Sequence, residues 1–478
     1  MTPEARITVR NAGWLLLQRG LLILSGLLFA VVVPRLMGPE NYGRFALLSA
    51  LAFGFMFLSL PGTTQIIGRF VPELLLEGDS AGIRKLFGNL LTLCLASGTL
   101  AACLYFAVTT LWLRDLDRAI PAAMSVAVLL ITTNQLIFGL FLGLNQAARW
   151  GFGDMLRRWI SVLILVPGFY LAGLPGACLG VALAELLLAA VGLWLARDYL
   201  CRPRLDIGYL IPYLRFGLIF YAGSLLYGAS ERSSEALVRL ASGSYIEVGY
   251  FSLAYAIYQM AVLTISQLTL AFAPLLAMLR TQGHEEALRD WTERLLKWFA
   301  IAAVLLIYGT LFLAEALVPP VFGAAYLAVA GNLIPLTVAL LFLGLSQVAN
   351  LLALVYELPR NTLSASALRL VALWMLGLPL AAWRGSFGAC LAVVAASAVH
   401  SAYITRRMQR VNGYSLRQWS QVVGLSLLFL PLLWLRSSSG ADGLLYGLFI
   451  VGYLALLWLL RLVAPEDLAT LRSLTRKN

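Results

Sequence analysis

Charged and chemically reactive residues are scarce in this chain. Asp, Glu, Lys and Arg make up 12% of its 478 residues, whereas soluble domains carry about 25%. Its 2 histidines and 5 cysteines form no pair with the spacing of a metal site or a disulfide framework. A P-loop, a G-x-S-x-G elbow and an H-E-x-x-H helix are all missing from the sequence. We therefore expect a protein that is not an enzyme, has no cofactor and is solvated by lipid.

Hydrophobic residues make up 61% of the chain and are grouped in long apolar segments. They form fourteen stretches long enough to cross about 30 Å of hydrocarbon, one of them over residues 45–66. Most of the 35 lysines and arginines fall in alternate loops and at adjoining helix ends, among them Arg157 and Arg158. By the positive-inside rule, both termini are cytoplasmic. Basic loops facing an anionic leaflet also account for the net charge of +12, so no nucleic-acid partner is expected.

Two phrases of the sequence occur twice, at similar separations. RLMGPENYGRFAL, from Arg35, is echoed by RLASGSYIEVGYFSL, from Arg239, and GLPGACLGV, from Gly173, by GSFGACLAV, from Gly385. Repeated bundles of this kind are typical of transporters. We predict an all-α polytopic membrane protein with fourteen transmembrane helices. They form two six-helix lobes related by the repeat, residues 1–200 and 201–410, followed by two additional helices and a cytoplasmic tail in residues 411–478.

The segment RTQGHEEALRDWTERLLKW, between the eighth and ninth predicted spans, is amphipathic. It places Leu288, Trp291 and Leu295 along one face of a helix and charges on the other. This pattern predicts a helix on the inner membrane surface. A docking site for a cytoplasmic partner would give the same pattern.

Two ionisable residues lie well inside predicted spans, where lipid makes charge costly. Arg19 is in the first span, and its long stem can reach the inner interface, so an interfacial position and a cavity-facing one both remain open. Glu185 lies near the middle of the sixth span, far from either interface. It is predicted to be paired, protonated or part of an ion relay.

Polar residues are densest in GASERSSEALVRLASG, at the predicted outer end of the seventh span. In a helix, Glu231, Glu235 and Arg239 would stack at four-residue steps. A solvated loop would have the same composition. Together with Arg35 and Arg44 of the first repeat copy, the arginines here could line an outer vestibule. Guanidinium groups bind phosphate oxygens bidentately, so such a vestibule favours a phosphate-bearing substrate.

Several of these segments resemble the bacterial Wzx-type polysaccharide flippases. The opening, Arg10 to Leu47, has the aromatic-containing first helix and the R-x-L/M-G-P-E-x-Y-G turn of that family. EVGYFSLAYAIYQM and AFAPLLAMLRTQG look like its eighth helix and the segment that follows, and VFGAAYLAVAGNLIPL is similar to its turn into the tenth helix. The superfamily also contains lipid II flippases and the multidrug and toxin extruders.

The resemblance implies alternating access across the bacterial inner membrane, with an undecaprenyl-diphosphate-linked oligosaccharide as substrate for surface polysaccharide biosynthesis. By analogy, we expect Arg19, Arg35, Arg232 and Arg239 to contact the substrate and Glu185 and Glu231 to couple transport to H⁺ or Na⁺. Polysaccharide polymerase or export machinery would be a further partner. Two alternatives remain: a cation-coupled multidrug exporter of the same superfamily, and a non-flipping membrane subunit of an exopolysaccharide synthase complex.

Overall fold

The computed structural model describes most of the chain. Its backbone covers residues 3–60, 62–201, 205–436 and 442–463. Within these ranges the side chains are described except those of residues 3–24, 27, 147, 219, 220, 222, 224 and 227. The described backbone is helical nearly throughout and has no β-strand, so the all-α prediction is confirmed.

The helices follow one another with short connections. They are α1 (Pro3–Ser59), α2 (Thr63–Leu76), α3 (Ser80–Trp112), α4 (Ala119–Gly143), α5 (Ala147–Leu195), α6 (Ile207–Arg232), α7 (Ser234–Ser242), α8 (Tyr245–Ala271), α9 (Ala273–Thr281), α10 (Glu285–Phe322), α11 (Leu327–Val355), α12 (Pro359–Asn412), α13 (Arg417–Ser426) and α14 (Asp442–Leu459). Short 3₁₀ helices cover Arg197–Tyr199, Ala324–Tyr326 and Leu427–Leu435.

Many of these helices are long and apolar enough to span a membrane. Among the described residues, 10 candidate spans meet that condition. The helices α1, α5 and α12 each contain a backbone break, so each comprises two helical segments. The polytopic membrane fold is therefore confirmed, whereas the number fourteen stays a prediction.

The chain forms two compact units. The first comprises residues 1–239 and 243–249, and its core packs α2, α3, α4 and α5 around side chains such as Phe87 and Phe141, both fully buried. The second comprises residues 240–242 and 250–478. In it, α14 is attached to α10 by stacked rings, with the centroids of Tyr308 and Phe449 3.9 Å apart. The division at residues 200 and 410 stays a prediction.

The two GACL phrases form the same kind of turn. In α5 the reversal occurs at Ala172 (φ −141°, ψ 20°) and Gly173 (φ 62°, ψ −144°). In α12 it occurs at Arg384 (φ −131°, ψ 19°) and Gly385 (φ 57°, ψ −134°). The positive φ explains the glycine in both copies, since residues with a Cβ rarely adopt it. Torsion angles that agree to within about 10° at corresponding positions support the internal repeat.

Two sequence predictions of local structure need correction. The apolar run 45–66 is not one helix: α1 ends at Ser59, and α2 begins at Thr63 after Gly62, whose φ is 72°. The amphipathic segment is helical as predicted, but it does not form a surface helix of its own. It is the first part of α10, which begins at Glu285 and continues without a break to Phe322.

Candidate functional site

An arginine and a glutamate pair deep inside the first unit. Arg157 lies on the first segment of α5 and Glu185 on the second, which the turn at Gly173 folds back alongside it. Arg157 Nε is 3.1 Å from Glu185 Oε1, and the side chains are 16% and 4% exposed. At 1.5 Å per residue, Arg157 lies about 15 Å from the start of α5 and inside a candidate membrane span. We call these two residues the midspan pair.

Asn134 of α4 fixes the carboxylate of the midspan pair. Its Nδ2 donates to the Glu185 carbonyl oxygen at 2.9 Å and to Oε2 at 2.7 Å. Asn134 is fully buried. One carboxylate oxygen thus faces a guanidinium and the other accepts from an amide. Arg157 and Asn134 thus supply the partner and the hydrogen-bond donor that a carboxylate buried in lipid requires.

Glycine in α1 lets a second arginine of α5 come close. A Cβ atom on Gly26 would lie 3.1 Å from Nη1 of Arg158. Arg158 is half-buried, as is Asp154 one turn earlier on α5. We predicted Arg157 and Arg158 at the inner end of a helix. In the structure α5 begins at Ala147, so Arg157 lies ten residues into the helix, whereas the side on which this end of α5 lies stays a prediction.

A second cluster of polar groups joins three connecting segments of the first unit. These are the break at Gly38 in α1, the connection between α3 and α4, and the start of α8. Its centre is the buried ring of Tyr245, with the guanidinium carbon atoms of Arg44 and Arg239 5.0 and 4.0 Å from the ring centroid. The Tyr245 hydroxyl donates to Asp115 Oδ1 at 3.0 Å. We call this set, with Glu40, the Tyr245 cluster.

The arginines of the Tyr245 cluster are engaged with protein groups. Arg44 Nη2 donates to Glu40 Oε1 at 2.7 Å. Arg239 Nη2 is 4.0 Å from Asp115 Oδ2, and its Nη1 donates to the carbonyl oxygen of Gly243, the residue that ends α7. Arg239 therefore closes the turn of the second repeat copy, a structural role that the sequence did not predict.

Glycines pack the two repeat copies against each other beside this cluster. A Cβ atom on Gly43 would overlap the carbonyl oxygen of Tyr245, and one on Gly249 would overlap that of Pro39. Gly43 and Gly249 occupy corresponding positions of the two copies. The backbones can approach this closely only without side chains, as in helix pairs with small residues in membranes.

The six predicted site residues lie in different surroundings. Glu185 belongs to the midspan pair and Arg239 to the Tyr245 cluster. Arg232 is exposed, with its guanidinium 4.8 Å from the centroid of the Phe53 ring. Arg35 is exposed and Glu231 is half-buried. The side chain of Arg19 lies outside the described residues. Their roles in substrate contact and ion coupling stay predictions.

Sequence reasoning missed Arg157 and Asn134. Arg157 was counted with the basic loops, and a single asparagine in an apolar helix gave no signal of its own. Only the folding of α5 back on itself shows that Glu185 has a cation within reach.

The Tyr245 hydroxyl is expected to make a small contribution and the ring a larger one. Tyr245→Phe removes one hydrogen bond to the half-exposed Asp115, which we expect to cost about 1 kcal/mol. Tyr245→Leu also removes two cation–π contacts, worth about 0.5 to 1 kcal/mol each. Thermal denaturation of both purified variants checks this order. Equal losses of stability in the two variants would show that the cation–π contacts of Arg44 and Arg239 with the ring do not stabilise the protein.

Residues 8–280 match the model of a protein family described as "Polysaccharide biosynthesis protein". No curated protein sequence matches the chain. The chain is similar in structure to the lipid II flippase MurJ in an inward closed conformation, with a TM-score of 0.69 and 14% identity over 94% of this chain and 97% of that chain.

Multidrug transporters have a similar structure. An inward-facing MATE family transporter of the MOP superfamily gives a TM-score of 0.64 at 15% identity, over 83% of this chain and 94% of that chain. A MOP superfamily transporter from Pyrococcus furiosus gives 0.53 at 15% identity, over 83% and 93%. At these identities the likeness shows the fold alone, and it is the fold of flippases and exporters.

Proposed function

Since the chain belongs to the polysaccharide biosynthesis protein family, we propose that it is a flippase for undecaprenyl-diphosphate-linked oligosaccharides. It moves repeat units from the cytoplasmic to the periplasmic leaflet of the bacterial inner membrane, with both termini cytoplasmic, for surface polysaccharide biosynthesis. The family match over residues 8–280 carries this proposal. The multi-pass fold shared with MurJ supports the transport step.

The chemistry of the substrate fits a protein of this composition. A polyprenyl tail is apolar and can stay in the bilayer, whereas a diphosphate and sugars need a polar path through it. Arginine is the side chain best suited to bind phosphate oxygens. We propose Arg19, Arg35, Arg232 and Arg239 as substrate contacts, each reached in a different part of the transport cycle. Arg239 would first have to leave Asp115.

Glu185 and Glu231 are the proposed ion-coupling residues. For Glu185, the contacts within the midspan pair determine which structural change ion binding would require. Both carboxylate oxygens are engaged, by Arg157 and Asn134, so a proton or sodium ion can bind only when Arg157 moves away. A coupled cycle would therefore include separation of the midspan pair.

A cation-coupled multidrug exporter is the second candidate, because the MATE transporters share the fold. An exporter of cationic drugs needs acidic groups that its substrate can reach. Glu185 is 4% exposed and paired with an arginine, which favours the flippase over the exporter.

A deletion strain of the source bacterium distinguishes these functions. We expect it to accumulate lipid-linked repeat units on the inner leaflet and to lose surface polysaccharide, and a plasmid copy of the gene to restore it. Analysis of labelled lipid-linked glycans and of the cell surface measures both effects.

Three other outcomes would contradict the flippase. Normal surface polysaccharide in a strain without a second homologue would refute it, and increased sensitivity to cationic drugs with normal polysaccharide would identify the exporter. Loss of polysaccharide without accumulation of lipid-linked units on the inner leaflet would point to a non-flipping subunit of a synthase complex.

A further inference from the structure

A buried carboxyl group lies at the junction of α6 and α7. Glu235 is 6% exposed, and Ser230 and Ser234 beside it are each 2% exposed. Ser233, between the two helices, keeps a nearly helical backbone with φ −94° and ψ −8°, so Ser230 and Ser234 lie on one face of an almost continuous helix. Glu235 lies on the short α7, which is not one of the candidate spans found among the described residues.

Three oxygen atoms of this junction are buried without a hydrogen-bond partner among the described residues. They are Oγ of Ser230, Oγ of Ser234 and Oε2 of Glu235. A buried polar atom without a partner costs about 1 to 3 kcal/mol, and more when it is charged. An ionised carboxylate oxygen can only accept, whereas a protonated one donates. Of the three atoms, Oε2 of Glu235 is the most costly to bury because it can be charged. A proton added to it turns this acceptor into a donor.

The charges around Glu235 come from two elements. On its own helical stretch, Arg232 favours the carboxylate and Glu231 opposes it, while the buried Tyr42 of α1 faces it from the first repeat copy. Arg232 is exposed and lies over the Phe53 ring, so solvent weakens its effect. Burial prevails and raises the pKa of Glu235 to about 7.

We propose that Glu235 is a proton-binding site, filled while the two repeat copies are packed together and emptied when that packing opens. Tyr42, which interacts electrostatically with Glu235, precedes Gly43, and Gly43 packs against Gly249, so the carboxyl group lies near the contact it would control. The proton passes from the solution at this end of the protein to Oε2 of Glu235 and returns to solution on opening. That this step drives transport rests on the proposed function, but proton binding itself does not.

A proton suits this site better than a sodium ion. Both ions carry one positive charge, but only a proton turns Oε2 of Glu235 from a hydrogen-bond acceptor into a donor.

The pH dependence of stability tests the site directly. Between about pH 4.5 and 7 the folded state keeps the proton that the unfolded state releases. The stability that the bound proton contributes is therefore fully present below about pH 4.5, and it is lost as the pH rises through about 7. We expect thermal denaturation of the purified full-length protein to show this loss. Glu235→Gln, which mimics the protonated form, should keep its low-pH stability at pH 8.

The exposed Glu77, at the end of α2, provides the control, because it is not among the groups that act on Glu235. Glu77→Gln should follow the wild-type pH profile. Identical profiles of stability against pH for wild type and Glu235→Gln would overturn the proposal. It would also be overturned if sodium chloride, compared with choline chloride, stabilised the wild type but not Glu235→Gln. If Glu235→Gln fails to fold, infrared difference spectra of the wild type and Glu235→Asp replace it. A protonated carboxyl band that disappears near pH 7 and shifts in Glu235→Asp supports the proposal, and its absence contradicts it.

Flipping assays in proteoliposomes separate the site from the proposed function. We expect the rate for lipid-linked oligosaccharide to depend on the pH at one face, and this dependence to disappear in Glu235→Gln but not in Glu77→Gln. Absence of any flipping, with the pH-dependent stability intact, would refute the flippase and leave the proton site. A dependence unchanged in Glu235→Gln would refute its coupling role.

Discussion

Arg157→Gln is expected to destabilise the protein strongly and to abolish transport. The change leaves the buried Glu185 carboxylate, among the described residues, with only Asn134 as a donor. Breaking a buried ion pair by removing one partner costs about 3 to 5 kcal/mol, and since Arg157 is 16% exposed we expect the lower end of that range. Chemical denaturation in detergent measures the stability, and complementation of a deletion strain measures transport.

A double variant separates the two effects. Arg157→Gln with Glu185→Gln removes both charges and should recover most of the stability, because no unpaired charge remains. Transport should stay lost in it if separation of the midspan pair is part of the cycle. Arg158→Gln is the matched control, since it changes the adjacent arginine and leaves the pair intact. A double variant that transports normally would show that the pair is purely structural.

Alanine in place of Gly176 or Gly388 is expected to prevent normal folding of the two hairpins. A Cβ atom on Gly176 would overlap the carbonyl oxygen of Gly168, and one on Gly388 would overlap that of Leu380. Both obstacles are backbone atoms, which cannot rotate away as a flexible side chain can. Overpacking typically costs about 1 to 3 kcal/mol, and we expect at least the upper value here. The yield of monodisperse protein and its thermal stability measure the loss.

Gly139→Ala provides the control for these substitutions. Gly139 lies inside α4, where no atom is within 4 Å of an added Cβ. Alanine should stabilise the helix there by as much as about 1 kcal/mol, through its higher helix propensity. If Gly176→Ala and Gly388→Ala were as stable as Gly139→Ala, the close approach in both hairpins would be wrong.

The two hairpin turns could be predicted from the sequence because a single physical requirement explains the glycine in each of them. Gly173 and Gly385 both adopt a positive φ, and a repeated phrase with a glycine at the same place reports that requirement directly. Hydropathy did not find the end of α1, because the apolar run continues across the break before Gly62. A run of apolar residues shows that a segment is in lipid, but not where its helix stops.

The candidate sites were harder to predict, because burial and pairing depend on distant residues. Glu185 was recognised as an unusual charge, yet its partner Arg157 became apparent only when the two segments of α5 folded together. In the polar segment at the junction of α6 and α7, the sequence could not distinguish Glu231 from Glu235. One is half-buried and the other almost completely buried, through contacts that the local pattern does not contain.

The matched hairpin turns also make the two halves of the chain comparable position by position. Counted from Gly173 and Gly385, Arg369 occupies the place of Arg157, and the buried Ser397 occupies the place of Glu185. The cation is retained at the equivalent position, but the anion is replaced by a hydroxyl. At these positions the first hairpin carries no net charge and the second carries one positive charge. The repeat therefore preserved a shape while its electrostatics diverged, and this divergence gives a duplicated bundle two different halves.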